Sequence, residues 1–239
     1  MKNKPHKVAG NEEDLKNQPH SFVFSKGKVG RYVRQLVKDV RSIMDPFTAS
    51  KLKVKRQNIL KDFVQVAGVL HVSHLVVFTK TDDYLNMRII RLPHGPTLTF
   101  RVENFSLARD VISSMKRYHT EQSNFLHAPL LILNNFTNPT AKTKESENAQ
   151  TTLENHMKLT SSIFQSMFPA INVNSLKLAQ MKRCFLINFD SEQETFDLRH
   201  YAIRAVPVGV SRPLKKLFVT SNKIPDLGSF KDASEFLLK

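Results

Sequence analysis

Apolar residues recur along this chain with two spacings, one helical and one alternating. Residues 30–44 place Val33, Leu36, Val37, Val40, Ile43 and Met44 on one helical stripe. Arg31, Arg34, Lys38 and Arg41 form a second stripe nearly opposite, and Pro46 stops the helix. Before it, the SFVFS segment at 21–25 reads as a short strand. A second helix is predicted over 58–67, with Asn58 as its cap and Gly68 as its terminator. HLVVFT at 74–79 is a buried-type strand, and a hairpin spans 86–102. In the second strand of that hairpin Leu98, Phe100 and Val102 alternate with Thr97, Thr99 and Arg101. Ser106 is the expected cap of a helix with Leu107, Val111, Met115 and Tyr118 on one face.

The pattern restarts after Pro129. LLILN at 130–134 is a strand, and the polar stretch 137–150 reads as a mobile loop. Thr151-x-x-Glu154 is a capping box for a helix over 152–168. Its inward face is Leu153, Met157, Thr160, Phe164, Met167 and Phe168, and Pro169 ends it. CFLINF at 184–189 is a buried strand, 194–199 and 201–207 read as an antiparallel pair, and a last helix is expected over 229–238. Strand, helix, buried strand and strand pair thus occur twice. The predicted class is α/β, in two similar lobes over 21–128 and 129–239, preceded by a disordered polar arm at 1–20.

Charge changes the picture most. The chain has 239 residues with 36 Lys and Arg against 21 Asp and Glu, a net charge of +15. That balance favours an anionic partner, nucleic acid or an acidic membrane surface. No apolar run reaches the roughly 18 residues of a membrane span. The first 20 residues lack the apolar core of a signal peptide. The single cysteine, Cys184, excludes an internal disulfide and a Cys-based zinc site, and it points to a reducing compartment.

The basic residues concentrate between 26 and 61. There Lys26, Lys28, Arg31, Arg34, Lys38, Arg41, Lys51, Lys53, Lys55, Arg56 and Lys61 face only Asp39 and Asp45 as acids. Lys51, Lys53 and Lys55 share one side if the segment is extended and can follow successive phosphates. A solvated charged face or a nuclear-localisation patch is the plainer reading. The coincidence with a basic helix stripe favours nucleic acid.

The hairpin tip, Pro93-His94-Gly95-Pro96, is rigid, and Arg88, Arg91 and Arg101 sit on its strands. It is either an ordinary turn or a surface for a phosphate backbone, with His94 and Gly95 at the contact. A side chain at Gly95 would strain the turn if φ is positive, or obstruct a ligand if it is not. Arg199 and Arg204, beside His200, either extend the basic surface or pair with Glu192, Glu194 or Asp197. Lys215 and Lys216, after Arg212, are a further phosphate contact or a helix start.

Aromatic residues are mostly the 17 Phe, on apolar faces, with no Trp and no ladder for stacking successive bases. That favours recognition of folded RNA by shape and backbone. Catalytic signatures are missing: there is no dinucleotide or phosphate-binding glycine loop and no nucleophile elbow. His71 and His74 lack a metal-ligand pattern, Asp82-Asp83 reads as a turn, and Cys184 reads as an inert buried thiol.

Several spaced motifs carry a resemblance. Leu92-Pro93-His94-Gly95-Pro96-Thr97-Leu98-Thr99-Phe100 resembles the signature of the Brix-domain ribosome assembly factors. The stretch from Asp45-Pro46-Phe47-Thr48 through Lys55, with Leu60-Lys61-Asp62-Phe63 and Val66-Ala67-Gly68, resembles the Peter Pan branch in particular. Lys182-Arg183-Cys184, Arg199-His200-Tyr201 and Pro207-Val208-Gly209 with Ser211-Arg212 are similar to that branch again. The resemblance runs from about His20 to Leu238.

It implies a fold of two lobes, each similar to the anticodon-binding domain of some tRNA synthetases. It also implies a non-catalytic factor of the large ribosomal subunit, acting in the nucleolus on precursor rRNA. Other assembly factors and ribosomal proteins would be its partners, with no cofactor, metal, membrane or small-molecule substrate. Members usually carry a basic, low-complexity tail beyond the domain, whereas this sequence stops at Lys239. A structural protein of the mature ribosome, or an enzyme acting on RNA, are the alternatives.

Overall fold

A computed structural model gives the architecture. It describes residues 18–55, 57–116, 118, 122–136, 147–170, 181–203 and 209. Residues to Ile203 form one compact unit and Arg204–Lys239 a second, and all the strands and helices through Ala202 belong to the first. Strand β1 (His20–Lys26) leads to helix α1 (Arg31–Met44), helix α2 (Leu60–Val69) and β2 (Val72–Lys80). Then come β3 (Leu85–Arg91), β4 (Thr97–Val102) and the short α3 (Ala108–Ser114). A 3₁₀ turn (Gln122–Phe125), β5 (Leu130–Asn134), α4 (Glu147–Met167), β6 (Arg183–Asp190) and β7 (Thr195–Ala202) complete the order.

One sheet runs β1-β2-β3-β4 and the other β5-β6-β7. In each, the first two strands are parallel with a helix in the crossover, and the later pairings are antiparallel. A right-twisted strand and a packed helix favour that unit wherever a buried apolar strand follows an amphipathic helix.

A single core joins the two sheets. Val33, Val37 and Met44 of α1 meet Val23, Val76, Phe78 and Ile89 of the first sheet, Ile163, Phe164 and Met167 of α4, and Phe185 and Ile187 of the second. Phe100 of β4 lies 6.0 Å from Phe164 and 5.5 Å from Phe196 of β7, ring centre to ring centre. A smaller core lies on the other face of the first sheet. There α2 sets Phe63 and Ala67 on Phe22, Phe24, Leu75 and Val77, with Phe63 stacked on Phe24 at 4.1 Å.

Arg183 is the largest fully buried side chain among the described residues, 2% exposed at the start of β6. Its Nη1 donates to the Ser42 and Ile43 carbonyls (3.0 and 3.3 Å), and its Nη2 to those of Asp45 and His127 (2.7 and 2.8 Å). The α1 C-terminus has carbonyls with no partner inside the helix, and a guanidinium fork satisfies them. Burial lowers the Arg183 pKa to about 10, and the nearby Asp45 opposes this. Burial likewise raises the Asp45 carboxyl to about 6, opposed by Arg183.

Several expectations are corrected. No break separates 199 from 201: Thr195–Ala202 is one strand, β7, in continuous register with β6 from Asp190↔Thr195 to Arg183↔Ala202, and 204–207 lie outside the described residues. The polar stretch 137–150 is already helical from Glu147, so α4 starts before the Thr151 capping box. Helix α2 starts at Leu60 and runs through Gly68. The Asn58 Oδ1 accepts from Lys55 N at 2.9 Å, while Asp62 Oδ2 accepts from Ile59 N at 2.9 Å and does the capping. No side-chain cap hydrogen bond forms at the α3 N-cap; Asp39 Oδ2 of α1 accepts from Ala108 N at 3.0 Å instead. Val111, Met115 and Tyr118 are exposed, so the expected inward face of that helix is buried only at Leu107. β6 is not buried on both faces: Phe185, Ile187 and Phe189 are buried, while Cys184 and Leu186 are half-buried. The expected helix over 229–238 lies outside the described residues.

Candidate nucleic-acid interface

The α1 basic stripe divides into two roles. Arg31, Arg34 and Lys38 are exposed and make no ion pair among the described residues. The nearby Asp39 forms no ion pair with them; its two oxygens accept from Gln35 Nε2 and Ala108 N. Arg41 departs from the solvated stripe. It is partly buried, and its Nε donates to Val23 O at 2.8 Å. Its Nη1 donates to Leu52 O at 3.1 Å and Ser50 O at 3.4 Å. Burial lowers its pKa. Arg41 is therefore a strap that fixes the chain after Pro46 against α1 and β1.

That chain segment carries the lysines. It first adds a short parallel bridge, Ser21↔Thr48, along the outer edge of β1. Ser21 N donates to Phe47 O at 3.0 Å, and Thr48 Oγ1 donates to Ser21 O at 3.0 Å. A turn comes next, closed by Leu52 N donating to Ala49 O at 3.1 Å. Leu52 then packs into the smaller core while Lys51, Lys53 and Lys55 stay exposed. The run is thus not a regular strand, but Leu52 inside and lysines outside preserve the one-sided display. Lys61 is exposed on α2, and Arg56 lies outside the described residues.

The hairpin offers a separate surface. Leu85, Met87 and Ile89 face the main core, so Asn86, Arg88 and Ile90 face the other way. Arg88 sits opposite Thr99 and Asn86 opposite Arg101, giving an exposed row of Arg88, Thr97, Thr99 and Arg101. Helix α2 covers β1 and β2 on this face and leaves that row open. Arg91 belongs to the opposite face and pairs in register with His74. His94 is exposed at the tip. Gly95 N donates to Arg91 O at 3.1 Å, and Arg91 N to Pro96 O at 3.2 Å, so the turn is closed on itself.

The expected contact residues therefore do not share one surface. The α1 stripe and the strapped lysines adjoin through Arg41 at the β1 edge. Arg88 on β3 and Arg101 on β4 lie two and three strand spacings from β1, about 10 and about 14 Å, on the far face from α1. Arg199 pairs with Asp197 at 3.0 Å on an exposed part of β7, and Arg204 lies outside the described residues. No group of three or more His, Cys, Asp or Glu that could hold a metal occurs among the described residues. No helix there is long and apolar enough to cross a membrane. The half-buried Cys184 thiol has its pKa raised by burial, which keeps it protonated.

The comparison with known proteins decides the family. A Brix domain matches residues 27–235. The chain belongs to the Brix-domain family. Over 227 residues this Brix protein is 44% identical to a mouse "Suppressor of SWI4 1 homolog", covering 95% of this chain and 45% of that protein. It is 38% identical over 231 residues to "Protein Peter pan" of Drosophila melanogaster, covering 97% of this chain and 47% of that one. It is 38% identical over 236 residues to "Ribosome biogenesis protein SSF2" of Saccharomyces cerevisiae, with 95% and 51% covered. The chain thus spans about half the length of these relatives. A solved structure of a probable ribosomal biogenesis protein from Aeropyrum pernix K1 covers 78% of this chain and 91% of its own, at 13% identity and a TM-score of 0.47. The resemblance to the Peter Pan branch accords with relatives that carry that name.

Proposed function

We propose that this Brix protein binds precursor rRNA of the large ribosomal subunit in the nucleolus and acts there stoichiometrically, without catalysis. Relatives named as ribosome biogenesis proteins support the process. The observation that carries RNA binding is the Arg41 strap. It commits one cation to three carbonyls and thereby holds the segment that carries Lys51 and Lys53 against α1, whose Lys38 and Arg34 stand one and two turns before Arg41, with no acid pairing them among the described residues. Unpaired cations on a held backbone bind phosphates by counterion release, and the segment itself needs no ordering on binding. In both sheets a parallel pair with a helical crossover is followed by antiparallel strands, which supports two related lobes, here packed on one core. Assembly factors and ribosomal proteins would dock on the same domain.

Sedimentation of cell extracts with crosslinking of bound RNA tests the proposal. The protein should travel with precursor particles of the large subunit and crosslink to their rRNA. Presence on translating ribosomes would instead make it a structural ribosomal protein, and absence from both would refute the proposal.

A further inference from the structure

We propose that Tyr84 and Arg101 form a seat for one unpaired RNA base, with the Asn86 amide reading its edge; this rests on the RNA-binding reading above. The Arg101 guanidinium lies over the Tyr84 ring at 3.8 Å from its centre. Both residues are exposed, Tyr84 at 46%. Arg101 makes no hydrogen bond or ion pair among the described residues, so its outer π-face and donors are unused. A guanidinium plane already stacked on a ring is a pre-oriented platform, and unpaired bases stack on such planes. Asn86 is the register partner of Arg101 on the same face, and its amide carries both donors and an acceptor for a base edge. The site is held rigidly, because Thr81 N donates to Tyr84 O at 2.9 Å and closes the β2–β3 turn.

Local charge selects a base over a phosphate. Asp82 and Asp83 immediately precede Tyr84, and Glu103 follows Val102, the register partner of Leu85. These three exposed acids stand at the same end of the hairpin as Lys80 and Arg101, so the seat lacks the cationic surplus of the α1 edge. An uncharged aromatic ring fits there without the repulsion a phosphate would meet.

Two RNA probes test this: a fully paired duplex, and the same duplex interrupted by a short unpaired internal loop. The wild-type protein should bind the looped RNA more tightly by about fivefold or more, the scale of one stacked base. Tyr84→Ala should abolish that preference while leaving duplex affinity unchanged, Arg101→Lys should abolish the preference as well, and Tyr84→Phe should keep it. Thermal denaturation checks that each variant is folded. A preference that survives Tyr84→Ala, or no preference in the wild type while duplex binding persists, overturns the seat and leaves the RNA-binding reading standing. Failure to bind either probe overturns both.

Discussion

Gly95 lies directly against Arg91: a Cβ built on it would stand 2.6 Å from the Arg91 Cβ, 2.8 Å from its Cγ and 2.9 Å from its carbonyl oxygen. Gly95 does not adopt a positive φ. The turn therefore needs glycine for room, not for a left-handed backbone. The stem and backbone of Arg91 cannot swing aside as a flexible tip would. Gly95→Ala should destabilise the fold by about 1–3 kcal/mol, as overpacking does, and Gly95→Val by more. Thermal or chemical denaturation measures this. An unchanged midpoint for Gly95→Val would show that the tip relaxes freely.

Arg183 should be among the least replaceable residues. Arg183→Met leaves four partly buried carbonyls without their donor, and an unsatisfied group costs up to about 1–3 kcal/mol where it is fully buried. Arg183→Lys restores the charge but not the planar fork, so it should recover only part of the loss. Urea titration of both variants provides the check. Full stability in Arg183→Lys would mean that charge alone suffices.

Stability should fall on acidification. Burial, with Arg91 nearby, depresses the His74 pKa to about 4, and burial with Arg183 nearby does the same for His200. Both rings are neutral in the folded state while the unfolded chain protonates near pH ~6.5. Their contribution is complete above about 6.5 and is lost as pH falls toward about 4. Asp45, raised from 3.8 to about 6, acts in the opposite direction between those two values, so it offsets part of the loss from the two histidines over most of that window. Denaturation midpoints at neutral pH and at about pH 5 should therefore differ, with a smaller difference in His74→Gln, whose amide can still meet Ser73 or Ser166. Equal pH sensitivity in the two proteins would count against a neutral buried His74.

Arg41→Met should leave α1 intact but release the segment it straps. Amide exchange at residues 50–55 should quicken, and RNA affinity should drop by more than loss of any one lysine produces. Exchange that is unchanged there would show that Arg41 does not hold the segment.

The sequence was most legible where one physical rule governed. The alternation of Leu98, Phe100 and Val102 with Thr97, Thr99 and Arg101 predicts β4, whose first set packs on the core while the second is exposed. The α1 stripes predict its buried and charged faces, and 130–134 matches β5 at both ends. Reading failed where distant chain decides. Polar Arg199-His200-Tyr201 looks like a break, yet His200 faces Phe185 and the ladder continues through it. Nothing local in Lys182-Arg183 signals burial, and only the open carbonyls of α1 and Asp45 explain why Arg183 goes inside. Arg41 shares the helical spacing of Arg34 and Lys38, and nothing local signals that its reach ends on Val23, Ser50 and Leu52. The sequence does not show how the expected RNA-contacting residues are distributed; the sheet divides them, because strand parity fixes Arg88 and Arg101 on the face away from α1.

If α1 and its strapped lysines form one phosphate-binding surface, salt dependence will reveal it. The decisive measurement is RNA affinity as a function of salt for the wild type and for a variant with Arg31, Arg34, Lys38, Lys51, Lys53 and Lys55 changed to Ala. Exposed positions of this type usually shift stability by no more than about 0.5 kcal/mol each, so the variant should remain folded. Its affinity should fall, and the slope of log K against log salt should flatten by about 0.7–0.9 for each phosphate no longer neutralised. A folded variant with wild-type affinity and an unchanged slope would contradict a phosphate-binding role for this surface.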